Sequence, residues 1–159
     1  MLCAPASKIF INVRVIPEML EKHWRFQPEG HMQHILIVDD EPGITCLFAR
    51  IFRLHGYRIT EASCGAVALE VNRLDPVDGV ITDFVMPGMN GLQLLNRLQE
   101  KRPALPGIIV SSTPHDVGAI GPYLKVVGKP CNADTLVRMM QTMFDDPARL
   151  KETEQHPGE

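Results

Sequence analysis

The chain has no paired cysteine motif: Cys3, Cys46, Cys64 and Cys131 lie far apart, with no Cys-x-x-Cys spacing. This argues against both a thiolate zinc site and a disulfide framework. It has no basic run longer than two residues and a formal net charge of only -3, so the electrostatic footprint of a nucleic-acid-binding surface is missing. No apolar run approaches the roughly 18–20 residues of a membrane span. Nor does the chain open with the charged, apolar and small-residue order of a signal peptide. These absences lead to the expectation of a soluble, cytoplasmic protein that contacts neither nucleic acid nor membrane. What is present is hydrophobic content, 45% of 159 residues, enough for one ordinary domain with some tail. A folded unit of about 115 residues buries roughly two-thirds of its unfolded surface and needs neither disulfide nor metal to hold it.

Residues 1–31 differ in texture from the rest. Pro5, Pro17, Pro28 and Gly30 interrupt a strand-like alternation at Ile11-Asn-Val-Arg-Val15. They read as an extension that the domain does not need, with an extra edge strand as the competing reading. From Met32 the pattern is regular. His34-Ile-Leu-Ile-Val38 is a continuous apolar run, as in a strand buried on both faces of a parallel sheet. Ile44, Leu47, Phe48, Ile51 and Phe52 then recur at helical spacing, with Pro42 in the first turn and Gly56 closing the helix. A strand over Tyr57–Glu61, a helix near Ala66–Leu74 and a strand over Val77–Thr82 follow. Gly91 opens a helix carrying Leu92, Leu95 and Leu98, which Pro103 ends. The last strands are Gly107–Ser111 and Leu124–Gly128. Asn132 is placed to cap a final helix with one stripe of Leu136, Val137, Met140, Met143 and Phe144. The domain thus runs over 32–146, and 147–159 form a polar C-terminal tail.

Five strands alternating with helices predict an α/β fold, a parallel sheet with helices on both faces. Ligands bind such sheets at the carboxyl ends of the strands. The fold therefore brings Asp39, Asp40, Asp83, Ser111 and Lys129 to one edge. Asp83 leaves an apolar strand for a turn punctuated by Pro87, Gly88, Asn90 and Gly91. Taken singly, each residue has an ordinary reading: Asp39-Asp40-Glu41 as acids favoured by a helix dipole, Ser111 as a strand-end hydroxyl, Lys129 as a solvated amine. Together they demand charge compensation, since like charges near a surface repel by roughly 4 kcal/mol per pair at about 4 Å. Lys129 supplies one cation. A divalent ion supplies the other, and an oxygen-rich set without His or Cys suits magnesium. Magnesium, a fixed lysine and a hydroxyl are the equipment of phosphoryl transfer, with Asp83 as nucleophile.

The motifs Ile-Leu-Ile-Val-Asp39-Asp40-Glu41, Asp83-Phe-Val-Met-Pro-Gly-Met-Asn-Gly, Ser111 and Lys129-Pro130 resemble the receiver domain of two-component response regulators, over about residues 33–145. The resemblance implies a flavodoxin-like strand order, 2-1-3-4-5, and a single-domain receiver similar to chemotaxis regulators. It implies phosphorylation of Asp83 by a sensor histidine kinase or a histidine phosphotransfer protein. It further implies that Asp40 ligates Mg2+ directly and Asp39 through water, with Asp83 and the backbone carbonyl of Val85 completing the protein's share. Ser111 would hydrogen-bond the phosphoryl group, Lys129 would ion-pair with it, and the bond before Pro130 would be cis. Such a protein catalyses only its own phosphorylation and dephosphorylation.

Two departures from the family pattern stand out. The position three before Lys129, commonly aromatic, is Val126. Only 17 residues separate Ser111 from Lys129, and Pro114, Gly118, Gly121 and Pro122 among them predict a fourth helix that is short or irregular. The 13 residues after Asp146 are too few for a DNA-binding module, so output is expected through contact with a downstream protein. Two other classes fit less well: a phosphorylation-independent interaction module, against which the full residue set speaks, and a magnesium phosphohydrolase, for which Val85 cannot serve as general acid.

Overall fold

The computed structural model describes residues 32–149 and residue 151; residues 1–31, with the strand-like alternation read there, and most of the polar tail lie outside the described residues. The apolar runs form β1 (His34–Val38), β3 (Gly79–Asp83) and β4 (Gly107–Ser111), each buried along its whole length. β2 (Arg58–Ala62) and β5 (Leu124–Gly128) are half-exposed edges. All pairs are parallel, in the order β2-β1-β3-β4-β5. This is the expected doubly wound receiver fold.

Helices α1 (Pro42–Leu54) and α4 (Ala133–Phe144) cover one face, where Phe48, Phe52, Leu136 and Met140 pack on Ile35, Ile81 and Ile108. On the other face α2 (Gly65–Leu74) and α3 (Gly91–Gln99) bring Ala68, Leu94 and Leu95 onto Leu36, Val80 and Ile109. Between β4 and β5 the expected fourth helix is reduced to one 3-10 turn, Pro114–Val117, pinned by the buried Val117 and left through Gly118 at φ 80°. No described helix is long and apolar enough to cross a membrane.

Sequence and structure differ in detail. Asp83 is the last residue of its strand and not the first of the turn, because its neighbour Phe84 still donates its N–H to Val110. β2 runs one residue later than expected, and α3 stops four residues before Pro103. In α1 the buried face is Thr45, Phe48, Ala49 and Phe52, whereas Leu47 is 52% exposed. The buried Thr45 hydroxyl is satisfied within its own helix, donating to the Pro42 carbonyl one turn back at 3.0 Å.

A polar network closes the opposite end of the sheet. His34 is fully buried, with Nδ1 2.7 Å from the Arg58 guanidinium and Nε2 2.8 Å from the Thr60 hydroxyl. A guanidinium only donates, so Nδ1 accepts, the ring is neutral, and Nε2–H donates to Thr60. Asp75 holds Arg58 in place with two hydrogen bonds and lies 3.8 Å from the His34 ring. Burial first and Arg58 second push the His34 pKa below its ordinary 6.5, outweighing Asp75, Asp78 and the Pro76 backbone, which favour the charged ring. The unfolded chain binds the proton more readily, so His34 contributes stability above its ordinary pKa that is lost as pH falls through the folded value. Urea melts between about pH 7 and about pH 5 should show a steeper loss of stability for the wild type than for His34→Gln; equal slopes would contradict a neutral buried ring.

Candidate functional site

The strand ends deliver the site residues in register. Val38 pairs with Thr82, Asp83 with Val110 and Ser111 with Gly128, so the residues that end or follow β1, β3, β4 and β5 share one edge. Asp39, Asp40 and Asp83 each offer a carboxylate oxygen, and the three lie within 4.8 Å of one another. Asp39 and Asp83 are buried and Asp40 is exposed. The Lys129 ammonium lies 2.8 Å from Asp83 Oδ1 and 3.8 Å from Asp39 Oδ2.

Local hydrogen bonds hold these groups. Asp39 Oδ1 accepts from the Glu41 N–H at 2.8 Å, which turns the carboxylate back over the start of α1. The Ser111 hydroxyl oxygen, almost wholly buried, accepts the Thr113 N–H at 3.0 Å. Lys129 is tied to the same strand end by its own N–H, which donates to the Ser111 carbonyl at 2.8 Å, and the Lys129–Pro130 bond is cis. Val85, two residues after Asp83, is 68% exposed; Thr113 is exposed as well.

Burial pushes the Asp39 carboxyl above its ordinary value, with Asp83 and Asp40 adding repulsion, against the Glu41 N–H and Lys129, which favour the charge. For Lys129 burial alone would lower the pKa, but the hydrogen bond to Asp83 and the charges of Asp83, Asp39 and Glu41 outweigh it and raise it. The ammonium is thereby held charged beside the acids. Cys131 stays a thiol, because burial raises its pKa more than the neighbouring Lys129 lowers it. The three-carboxylate group, with oxygen donors only and one member open to solvent, fits a hard divalent cation that keeps several waters. It is the one cluster of this kind among the described residues.

Of the five strand-end residues expected from the sequence, Asp39, Asp40, Asp83 and Lys129 come together, and Ser111 lies on the same edge of the sheet. His115 lies on the exposed 3-10 turn. What sequence reading missed is the backbone support: the Glu41 N–H on Asp39, and the Thr82 hydroxyl, which donates to the Asp83 carbonyl at 2.9 Å.

A five-stranded parallel sheet with two buried acids, a lysine and a hydroxyl at its carboxyl edge defines a receiver. The model of the response regulator receiver domain matches residues 35–141, and the chain belongs to that family. Over 119 residues it is 33% identical to the transcriptional regulatory protein GlrR of Escherichia coli (strain K12), a match covering 72% of this chain but 27% of that protein. The chain thus spans about a quarter of GlrR's length. It is 28% identical over 119 residues to protein PilH of Pseudomonas aeruginosa, covering 71% of this chain and 98% of that protein. It is also similar to the response regulator TrrA from Thermotoga maritima, solved in complex with Mg2+ and BeF: TM-score 0.63, 29% identity, 70% of this chain and 99% of that one. The acidic pocket is consistent with signalling through an aspartyl phosphate.

Asp39→Asn keeps an oxygen for the Glu41 N–H and removes one of three like charges. In metal-free buffer it should stabilise the protein by about 1 kcal/mol, a rise in Tm of roughly 4 °C for a domain of this size. A lowered Tm would show that the carboxylate charge is not the strained feature of the pocket.

Proposed function

We propose that the chain accepts a phosphoryl group on Asp83 from a sensor histidine kinase or a histidine phosphotransfer protein, and that it signals through contact with a downstream protein. The observation that carries this reading is the Asp83 carboxylate, buried at the sheet edge, 2.8 Å from the Lys129 ammonium and grouped with Asp39 and Asp40. In the transfer an Asp83 oxygen attacks phosphorus, the phosphorus–nitrogen bond of the donor phosphohistidine breaks, and the imidazole keeps the electron pair and takes up a proton. The product is an acyl phosphate on Asp83.

Mg2+, when bound, neutralises charge on the transferring phosphoryl oxygens. On this reading Asp39, Asp40, Asp83 and the Val85 carbonyl would hold it. Lys129 keeps the pocket from repelling the incoming dianion, and the Ser111 hydroxyl donates to a phosphoryl oxygen. The similarity to TrrA, solved with Mg2+ and BeF, supports the choice of metal. The signalling unit is 32–146, with 1–31 as an extension and 147–159 as a tail.

Intact-mass measurement with a small acyl-phosphate donor tests the reading. The wild type should gain one phosphoryl group in Mg2+ and none in a chelator, and Asp83→Asn should gain none, because an amide is not a competent nucleophile. Unchanged labelling of Asp83→Asn would sink the assignment. An unlabelled wild type would favour a phosphorylation-independent module, and steady turnover of small phosphate esters a hydrolase.

The lifetime of the acyl phosphate follows from two neighbours. By analogy with the family, the side chains best able to orient an attacking water are those of Val85 and Thr113. Valine offers no hydrogen bond and the threonine only one short hydroxyl. Loss of the phosphoryl group should be slow, which suits a held signal better than a relay. Val85→Asn should speed decay severalfold at fixed Mg2+; an unchanged decay rate would show that water orientation at this position does not set the lifetime.

A further inference from the structure

We infer that Gly91 is a positioning residue for the metal-binding side of this pocket, because it lets the N-terminus of α3 close directly on the backbone of Asp83. The inference rests on the function proposed above. Gly91 is buried, and a Cβ on it would run into the Asp83 carbonyl oxygen and lie 2.9 Å from Thr82 Cγ2. Its N–H donates to the Phe84 carbonyl at 2.9 Å, while the Thr82 hydroxyl holds the Asp83 carbonyl at 2.9 Å. The loop 84–90 therefore leaves β3 and returns to the same two peptide groups. Val85, whose carbonyl is the proposed ligand, lies inside that loop.

The entry into α3 is fixed from its own side. Asn90 Oδ1 accepts from the Gln93 N–H at 2.8 Å, and the Gln93 side chain accepts from the Asn90 N–H at 3.0 Å, a reciprocal capping box. Gly88 in the same loop has φ 81° and open space around its Cβ position, so it serves the turn and not the close approach. At Gly91 the first obstacle is a backbone carbonyl, which cannot rotate away as a flexible side chain can. Any side chain there must push α3 outward or displace the Asp83 peptide. Both movements separate the Val85 carbonyl from the Asp83 carboxylate, two groups that must converge on one cation.

The test follows Tm of the full chain across a Mg2+ titration, alongside phosphoryl uptake from the small donor. A cation bound only by the folded state raises Tm with concentration. Gly91→Ala is expected to melt cooperatively without metal and to need about tenfold more Mg2+ for the same rise in Tm, the usual scale for loss of support behind a ligand. Its uptake should fall at limiting Mg2+ and recover at saturation. Thr82→Val, which frees the same carbonyl without adding bulk, should shift the titration in the same direction by a smaller factor. A folded Gly91→Ala with wild-type Mg2+ dependence overturns the inference; should that variant not fold, wild-type dependence in Thr82→Val overturns it instead. A wild type that takes up no phosphoryl group refutes the receiver function, while the Tm titrations still decide the role of Gly91. A wild type whose Tm ignores Mg2+ overturns both.

Discussion

Three carboxylates held within 4.8 Å of one another, two of them buried, are the constraint on which the rest of this structure depends. At a near-surface dielectric each like-charged pair at about 4 Å costs roughly 4 kcal/mol, a large share of the roughly 5–15 kcal/mol by which a domain is stable. Lys129 relieves part of that cost at 2.8 Å from Asp83, yet at 3.8 Å it relieves less of it at Asp39, whose pKa remains raised by burial and by its acidic neighbours. The pocket is thus left short of positive charge. A site in that condition suits a hard divalent cation.

The scaffold maintains this frustration because its strands cannot relax. β1, β3 and β4 are buried on both faces, and their register fixes where each acid emerges. Hydrogen bonds then hold the pocket's backbone and acids: the Glu41 N–H takes one oxygen of Asp39, the Gly91 N–H ties the α3 entry to the Phe84 carbonyl, and the Thr82 hydroxyl holds the Asp83 carbonyl. On the far side of Lys129 the cover is thin. Pro114 of the 3-10 turn packs against Gly128, and Val126, partly buried on the second core, stands where many receivers carry a ring.

Much of this was legible in the sequence for a physical reason: strands buried on both faces spell themselves as unbroken apolar runs. His34–Val38 and Gly107–Ser111 match the structure to the residue, and the acids and lysine could be placed because the fold fixes where strands end. The Asn132 cap and the α4 stripe were equally plain, since both are set by local spacing. Illegible were the features made by contacts distant in sequence. Leu47 and Thr45 differ by two positions, and only the angle at which α1 meets the sheet decides that the threonine is the buried one. The neutral His34 depends on Arg58, the next strand over. Arg149 lies in what reads as a polar tail, yet its guanidinium lies 5.2 Å from the Phe144 ring centroid and donates to the Ala104 carbonyl. Gly91 announces a helix start in sequence, and its approach to Asp83 shows only in three dimensions.

Among the three neighbouring carboxylates, Asp83 alone is proposed as the nucleophile. Borohydride reduces an acyl phosphate to the primary alcohol and leaves free carboxylates untouched, so peptide mapping of the phosphorylated, borohydride-treated chain locates the modified residue directly. Homoserine is expected at position 83 and intact aspartate at positions 39 and 40. Conversion at position 39 or 40, or phosphorylated protein with no conversion at position 83, would contradict this assignment.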